Sequence, residues 1–259
     1  MRKPTRNIVI AGGGFAGISA LKTLHRFRRQ LPSDIQVVII DSRTEQEFIP
    51  MLPDLISGWT GGSPLTYDLK KATAGSENVF IQDRITGLDM QDRKFRMENG
   101  EIDYEYAILC TGSETNFFGS AEARKSMKLD SIEDGMNIHK KLTEKIDESR
   151  KSDVNVVVVG GGYTGIEIAT HVHVLLNSAG CSGRSRIYIM EKSNRILPRN
   201  PEWIRKYVSG ELDRLGIRVR TGDSLGRFSD GTFVSENGVE VPDAVCIWAA
   251  GVRPPGFLT

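Results

Sequence analysis

Val154-Asn155-Val156-Val157-Val158-Val159-Gly160-Gly161-Gly162-Tyr163-Thr164-Gly165 is the stretch that decides the fold of this chain. The run at 154–159 is almost all β-branched and apolar, which predicts a strand covered on both faces. Three glycines follow at once with the spacing Gly160-x-Gly162-x-x-Gly165, and a helix over about 164–176 continues the pattern. In that setting the first glycine permits a tight turn and the second lets backbone approach a pyrophosphate. The third lets helix and strand pack closely. The helix N-terminus adds N–H groups and partial positive charge, which suit an anion. The same plan opens the chain, where Asn7-Ile8-Val9-Ile10-Ala11 runs into Gly12-x-Gly14-x-x-Gly17. One such triplet carries little weight. Two, each between a strand and a helix, imply that one chain holds two dinucleotides.

Each fingerprint is followed by an acid that closes another apolar run, Asp41 at the end of 35–41 and Glu191 at the end of 186–191. A carboxylate there accepts hydrogen bonds from ribose hydroxyls and repels a 2′-phosphate, so Glu191 favours NADH over NADPH. Lys192 and Arg195 work against that preference. Strand 7–12, helix 15–29 and strand 35–41 form a right-handed crossover. Prolines and glycines break the chain at 48–62. A meander is then expected from 79–82 through 94–97 and a tight turn at Asn99-Gly100 to 104–110. The second half repeats the plan with a helix at 201–215 and a strand at 217–220. Hairpins at Asp230-Gly231 and Asn237-Gly238 then lead to a strand at 244–250. The expected fold class is α/β: two Rossmann-like dinucleotide-binding domains, each a parallel sheet with helices plus an antiparallel β-meander. The halves share plan and fingerprint and no other obvious similarity. A polar turn at 113–118 divides them into domains at 1–115 and 116–259. A charged helical connection is expected at 125–151, with Ser131 and Asp134 as start signals.

Composition narrows the function classes. Charged residues make up 26% of the 259 positions and the net charge is +1, which gives no field for nucleic acid. Met1-Arg2-Lys3 precedes an apolar run too short for a secretory signal, and no stretch reaches membrane-spanning length. Cys110, Cys181 and Cys246 lie far apart with no C-x-x-C, so neither a disulfide framework nor a local redox pair is expected and a reducing cytoplasm is the default. His25, His139, His171 and His173 form no metal-ligand set, and the spacing of His171 and His173 puts them on different helix faces. No metal site is expected. Trp59 and Trp203 carry no motif.

Five pieces fall in a familiar order: Gly12-Gly13-Gly14-Phe15-Ala16-Gly17 with Asp41; Phe48-Ile49-Pro50-Met51-Leu52-Pro53; Cys110-Thr111-Gly112; Gly160 to Gly165 with Ile166-Glu167; and Trp248-Ala249-Ala250-Gly251-Val252. Along essentially its whole length the chain resembles the two-dinucleotide-binding flavoproteins, and among them the type II NADH:quinone oxidoreductases, non-proton-pumping NADH dehydrogenases. The resemblance implies that hydride passes from NADH to FAD and on to a quinone. FAD would be held by Gly12, Gly14, Phe15, Ala16, Gly17, Asp41, Ser42, Pro50, Thr111 and Gly112, with Cys110 where a small residue is usual. NADH would be held by Gly160, Gly162, Tyr163, Thr164, Gly165, Glu191, Ala250 and Gly251. It further implies that Glu167 is the catalytic residue, positioning NADH or handling protons. Read from the helix alone, Glu167 is a first-turn acid favoured by the dipole.

Relatives of this kind continue past 259 with a Gly-Asp motif for the flavin, then a quinone pocket and membrane anchor. The chain is therefore expected to be a fragment or a shortened protein that binds FAD weakly and lacks its own quinone site. Peripheral membrane association and a homodimer would belong to the longer enzyme, which would be cytoplasmic or on the cytoplasmic membrane face. Sulfide:quinone oxidoreductase, ferredoxin or rubredoxin reductase, and a non-catalytic NADH-binding or redox-sensing module remain open as alternatives.

Overall fold

The computed structural model describes residues 6–74, 77–148 and 153–258. Strand β1 (Arg6–Ala11), helix α1 (Phe15–Arg26) and strand β2 (Ile35–Asp41) open the chain. Strand β3 (Glu45–Glu47) precedes an excursion through 48–65 that carries helix α2 (Leu52–Ser57). There follow β4 (Thr66–Asp68), α3 (Leu69–Thr73), β5 (Val79–Gln82), β6 (Ile85–Asp89), β7 (Lys94–Met97), β8 (Gly100–Asp103), β9 (Tyr106–Leu109) and the short β10 (Glu114–Thr115). The second half runs α4 (Ile132–Glu148), β11 (Val154–Val159), α5 (Tyr163–Ser178), β12 (Ser185–Glu191), α6 (Glu202–Arg214) and β13 (Arg218–Thr221). It ends with β14 (Leu225–Ser229), β15 (Thr232–Ser235), β16 (Glu240–Val241), β17 (Ala244–Trp248) and β18 (Val252–Arg253).

Two compact units emerge. Unit 1 contains the described residues up to 47, those from 66 to 114, and 253–258; unit 2 contains 48–65 and the described residues from 115 to 252. Two segments thus lie outside the 1–115 and 116–259 division. The excursion at 48–65 belongs to unit 2 because the apolar side of α2, with Leu52, Leu55 and Ile56 buried, packs on α4 and α5. Residues 253–258 belong to unit 1, where their last turn, Gly256–Leu258, reaches β6.

Each unit stacks helix, parallel sheet and meander. In unit 1 the parallel order is β5-β2-β1-β9 and in unit 2 it is β13-β12-β11-β17. Alternate residues of β1 face opposite layers. Ile8 and Ile10 pack with Ile18 and Leu21 of α1, while Val9 and Ala11 pack with Phe95 of the meander. In β11, Val156 and Val158 meet Ile168 and Val172 of α5, and Val157 and Val159 meet Phe233. Both faces being covered explains the unbroken apolar runs.

Several boundaries differ from those expected. Val79–Gln82 is no part of the meander; it is the edge of the parallel sheet, with Ile39 opposite Phe80. Tyr106–Leu109 likewise pairs in parallel with β1. The meander is β6-β7-β8. Helix α1 stops at Arg26, where Phe27 leaves helical geometry and a separate 3-10 turn follows at Arg28–Gln30. The strand expected at 244–250 ends at Trp248. In the connection, helix is confined to Ile132–Glu148, started by Ser131 Oγ accepting from the Asp134 amide at 3.1 Å; Met127 instead bridges Ile247, and 149–151 lie outside the described residues.

The halves repeat far more closely than their sequences do. Asp83 N–H donates to Asp41 carbonyl (3.0 Å), and Asp223 N–H to Glu191 carbonyl (3.1 Å). The Asp83 carboxylate then accepts from the amides of Arg84 (2.8 Å) and Asn99 (3.2 Å), and that of Asp223 from Ser224 (2.9 Å) and Asn237 (3.1 Å). Each aspartate thus ties the edge of a parallel sheet to the far turn of its meander. Phe95 and Phe233, both fully buried, occupy matching places in the middle strands. Asp223 also accepts from Ser235 Oγ at 2.7 Å and is itself buried. Asp223→Ala orphans these donors, so a loss of about 2–4 kcal/mol is expected in a urea melt, and an unchanged midpoint would contradict the staple.

Candidate functional site: two glycine loops and a polar cluster on α5

The two fingerprints fold into the same loop. Gly12 has φ +106° and Gly160 φ +121°, values that L side chains rarely adopt. A Cβ on Gly12 would stand 2.2 Å from the Cys110 carbonyl oxygen, and one on Gly160 would stand 2.5 Å from that of Ala249. The third glycines are tighter still: a Cβ on Gly17 or Gly165 would lie 1.9 Å from the carbonyl oxygen of Gly12 or Gly160. Each helix therefore starts with its backbone against the turn that feeds it. Above the middle glycines the reverse holds, since a Cβ on Gly14 or Gly162 meets nothing within 4 Å. Both are extended N-caps, and no side chain caps either helix. Uncapped helix starts beneath open space can receive a phosphate group.

The two acids close the loops from the side. Asp41 Oδ2 accepts from Gly13 N–H at 2.7 Å and Oδ1 from Arg43 N–H at 2.9 Å, across Ser42. Glu191 Oε2 accepts from Gly161 N–H and Oε1 from Ser193 N–H, both at 2.7 Å. Each carboxylate is thereby aimed at its loop with lone pairs to spare for hydroxyl donors. In unit 2, Ile196 and Leu197 complete the wall. A Cβ on Gly161 would be 2.8 Å from Ile196, and the Leu197 amide donates to the Gly161 carbonyl at 3.0 Å.

Beneath the loops, Cys110-Thr111-Gly112 and Ala249-Ala250-Gly251 are structural counterparts. The amides of Cys110 and Ala249 donate to the carbonyls of Ala11 and Val159 at 2.7 Å, and Gly112 and Gly251 have φ +67° and +157°. Unit 1 thus brings together Gly12, Gly14, Phe15, Ala16, Gly17, Asp41, Ser42, Thr111 and Gly112. Unit 2 brings together Gly160, Gly162, Tyr163, Thr164, Gly165, Glu191, Ala250 and Gly251. Tyr163 is exposed, and its hydroxyl accepts from Asn200 Nδ2. Pro50 is not with the first group: it lies in unit 2, exposed in the turn that leads to α2. Neither Cys110 nor Cys246 offers a reactive thiolate. Burial raises the Cys110 thiol and pushes that of Cys246, bonded by Ser126 Oγ, up to about 12.

Glu167 departs from its expected setting. It is the fifth residue of α5, and the first turn of that helix holds no acid. Its carboxyl titrates above the usual range, chiefly because packing strips part of its hydration and secondly because Asp54 of α2 repels its charge. The dipole is therefore not what governs it. One turn on, His171 Nδ1 lies 2.9 Å from Ser57 Oγ, and the edge of Trp59 packs on the imidazole with ring centroids 5.3 Å apart. Sequence reasoning left Asp54, Ser57, Trp59 and His171 aside, because α2 and α5 are distant in sequence and no local spacing links them. Among the described residues no group of three or more His, Cys, Asp or Glu is arranged to hold a metal ion.

A family model described as pyridine nucleotide-disulphide oxidoreductase matches residues 6–258. The chain is 26% identical over 281 residues to the external alternative NAD(P)H-ubiquinone oxidoreductase B2, mitochondrial, of Arabidopsis thaliana, covering 95% of this chain and 47% of that protein. It is 25% identical over 293 residues to the type II NADH:quinone oxidoreductase of Haemophilus influenzae, covering 96% and 64%. Among solved structures, NDH2 from Plasmodium falciparum in complex with NADH superposes with a TM-score of 0.84 at 21% identity, over 98% of this chain and 56% of that one. The chain thus spans about half to two thirds of the length of these relatives.

The close approach at the third glycine is open to test. Gly165→Ala must move α5 off the Gly160 carbonyl and should cost about 1–3 kcal/mol in a thermal or urea melt. Gly162→Ala, with open space at its Cβ, should leave the midpoint nearly unchanged; equal effects of the two would contradict the packing described.

Proposed function

We propose, because this chain belongs to the pyridine nucleotide-disulphide oxidoreductase family, that unit 1 holds FAD, unit 2 holds NADH, and the pair serves an NADH:quinone oxidoreductase. The observation that carries this reading is the loop built twice, each copy with an uncapped helix start, open space above its middle glycine and a carboxylate held by the loop amide. Those features fit the pyrophosphate and adenosine ribose of a dinucleotide. The names of the Arabidopsis and Haemophilus relatives support NADH as donor and quinone as acceptor. When bound, the nicotinamide supplies a hydride, which the flavin accepts and passes on as electrons.

The chain's own residues bind and orient. In unit 1 the Gly12–Gly17 loop takes a pyrophosphate at the start of α1 with Phe15 and Ala16, Asp41 with Ser42 takes a ribose, and Thr111 and Gly112 line the site from below. Pro50 stays a flavin contact in this reading. In unit 2 the Gly160–Gly165 loop with Tyr163 and Thr164 takes the NADH pyrophosphate, Glu191 the ribose, and Ala250 and Gly251 the floor. Glu167, held partly dehydrated beside Asp54, retains a proton to higher pH than an ordinary glutamate and is the group that positions the nicotinamide or manages a proton. Because a quinone is apolar, the whole enzyme attaches peripherally to the cytoplasmic face of a membrane in this reading, and it acts as a homodimer. Among the described residues no helix is long and apolar enough to cross one.

Coenzyme preference tests the assignment of Glu191. Lys192, the nearest cation in sequence, is turned toward Glu236 at 3.8 Å. NADH should therefore bind at least about tenfold more tightly than NADPH in a calorimetric titration, a difference of about 1.4 kcal/mol. Glu191→Gln should narrow that ratio. Equal affinities in the unaltered chain would remove Glu191 from the ribose site.

A further inference from the structure

Phe117 and Phe118 are neighbours in the chain, yet their rings go opposite ways. Phe117 turns inward onto Trp248 of β17, with ring centroids 6.1 Å apart, and the Arg124 guanidinium lies over its ring at 5.6 Å. Phe118 points outward and is 66% exposed. Its backbone is unusual as well. Ser120 N–H donates to the Phe117 carbonyl at 2.9 Å, closing a turn whose two central residues, Phe118 and Gly119, have φ +50° and +77°. Asn, Asp and Gly dominate turns of that kind, because a bulky side chain at positive φ is strained. Burial does not offset the strain here, since the side chain faces solvent. Strain of this sort gathers at ligand-binding positions.

Hydrogen bonds to Asn116 set this turn against the end of β17. The Asn116 amide donates to the Gly251 carbonyl at 2.9 Å, Trp248 Nε1 donates to the Asn116 carbonyl at 2.9 Å, and Asn116 Oδ1 accepts from Phe118 N–H at 2.8 Å. The tip of the Phe118 ring then rests on Gly251: a Cβ there would stand 3.1 Å from Phe118 Cζ and 3.4 Å from Cε2. Sheet order tells which half of a dinucleotide comes to this place. Strand β11 leads into the loop and helix start that suit a pyrophosphate, and β12 and β17 flank it on opposite sides. Glu191, at the end of β12, puts the adenosine ribose on that side. A dinucleotide carries one nucleoside on each side of its pyrophosphate and lies across the carboxyl ends of the strands. The nicotinamide half is therefore led across the end of β17, over Ala250 and Gly251, where the exposed ring stands.

We propose that Phe118 is a contact residue for the nicotinamide riboside half of NADH, its ring held at positive φ so that it packs on that half from beside Gly251. The inference rests on the assignment of NADH to unit 2. A dihydronicotinamide ring is flat and uncharged, so an exposed phenylalanine ring offers it an apolar, aromatic surface. The division of labour in unit 2 is then complete along the ligand: Glu191 at the adenosine end, the Gly160–Gly165 loop at the pyrophosphate, and Phe118 at the end that carries the hydride. Trp248 gains a part in it as well, since its indole N–H fixes the turn that presents Phe118.

Calorimetric titrations of the full chain with NADH and, separately, with ADP-ribose test this, because ADP-ribose keeps the adenosine and the pyrophosphate but lacks the nicotinamide. In Phe118→Asn, whose side chain tolerates positive φ, NADH affinity should fall about tenfold, on the order of one aromatic contact, while ADP-ribose affinity stays within about twofold. The urea midpoint of that variant should lie at or above that of the unaltered chain, since the strain is relieved. Phe118→Tyr, which keeps the ring, should keep the NADH affinity. In the unaltered chain the ring protons of Phe118 should shift on adding NADH and stay in place with ADP-ribose, a reading that needs no variant to fold. Unchanged NADH affinity in Phe118→Asn, an equal loss for both ligands, or a ring that ignores NADH would overturn the proposal while leaving NADH in unit 2. If neither ligand binds the unaltered chain, the assignment of NADH to unit 2 falls, and this contact with it.

Discussion

The Cα of the third glycine passing the carbonyl of the first is the contact on which each half of this protein is built. With a Cβ at Gly17 or Gly165 placed 1.9 Å from that oxygen, any side chain would force α1 or α5 away from its sheet. With glycine there, the helix packs against the strand that feeds it, and its start, capped by no side chain, lies beneath the open space above Gly14 or Gly162. Steric exclusion at one atom thus sets both the packing of a layer and the direction in which a ligand-binding surface points.

The rest of each half hangs from that loop through backbone partners. Asp41 and Glu191 hold the middle amide of the loop, and their own carbonyls accept from Asp83 and Asp223, which in turn hold the meander turns at Asn99 and Asn237. A single chain of hydrogen bonds therefore runs from ligand loop to outer sheet in both units. That both halves keep it, although their sequences differ, argues that the geometry of the loop is what the meander supports. The halves differ in the helix that follows the loop. Only in unit 2 does the helix after the loop carry an acid, Glu167, and there the charge of Asp54 on α2 acts on it.

Much of this was legible in the amino-acid order. The strands at 6–11, 35–41 and 154–159, the paired fingerprints and the acids Asp41 and Glu191 follow from local patterns, because covered parallel strands and glycine loops write themselves in consecutive residues. The short apolar run Val79–Gln82 fits an edge of a parallel sheet as well as a meander strand, and only its partner β2 decides. Asp83 and Asp223 look like loop acids until their partners, sixteen and fourteen residues on, are in place. Ser57 and His171 are 114 residues apart, so nothing local could join them. Helix position alone makes Glu167 an acid governed by the dipole, whereas burial and Asp54 of α2 set its environment.

The central claim is that the second fingerprint is an NADH site distinct from the first. Backbone amide NMR during an NADH titration tests it most directly. The account predicts shifts concentrated at Gly160–Gly165, Glu191–Ser193 and Ala250–Gly251, with the Gly12–Gly17 loop and Asp41 largely unmoved. Shifts centred on Gly12–Gly17 and Asp41 instead, or none in either loop at saturating NADH, would contradict it.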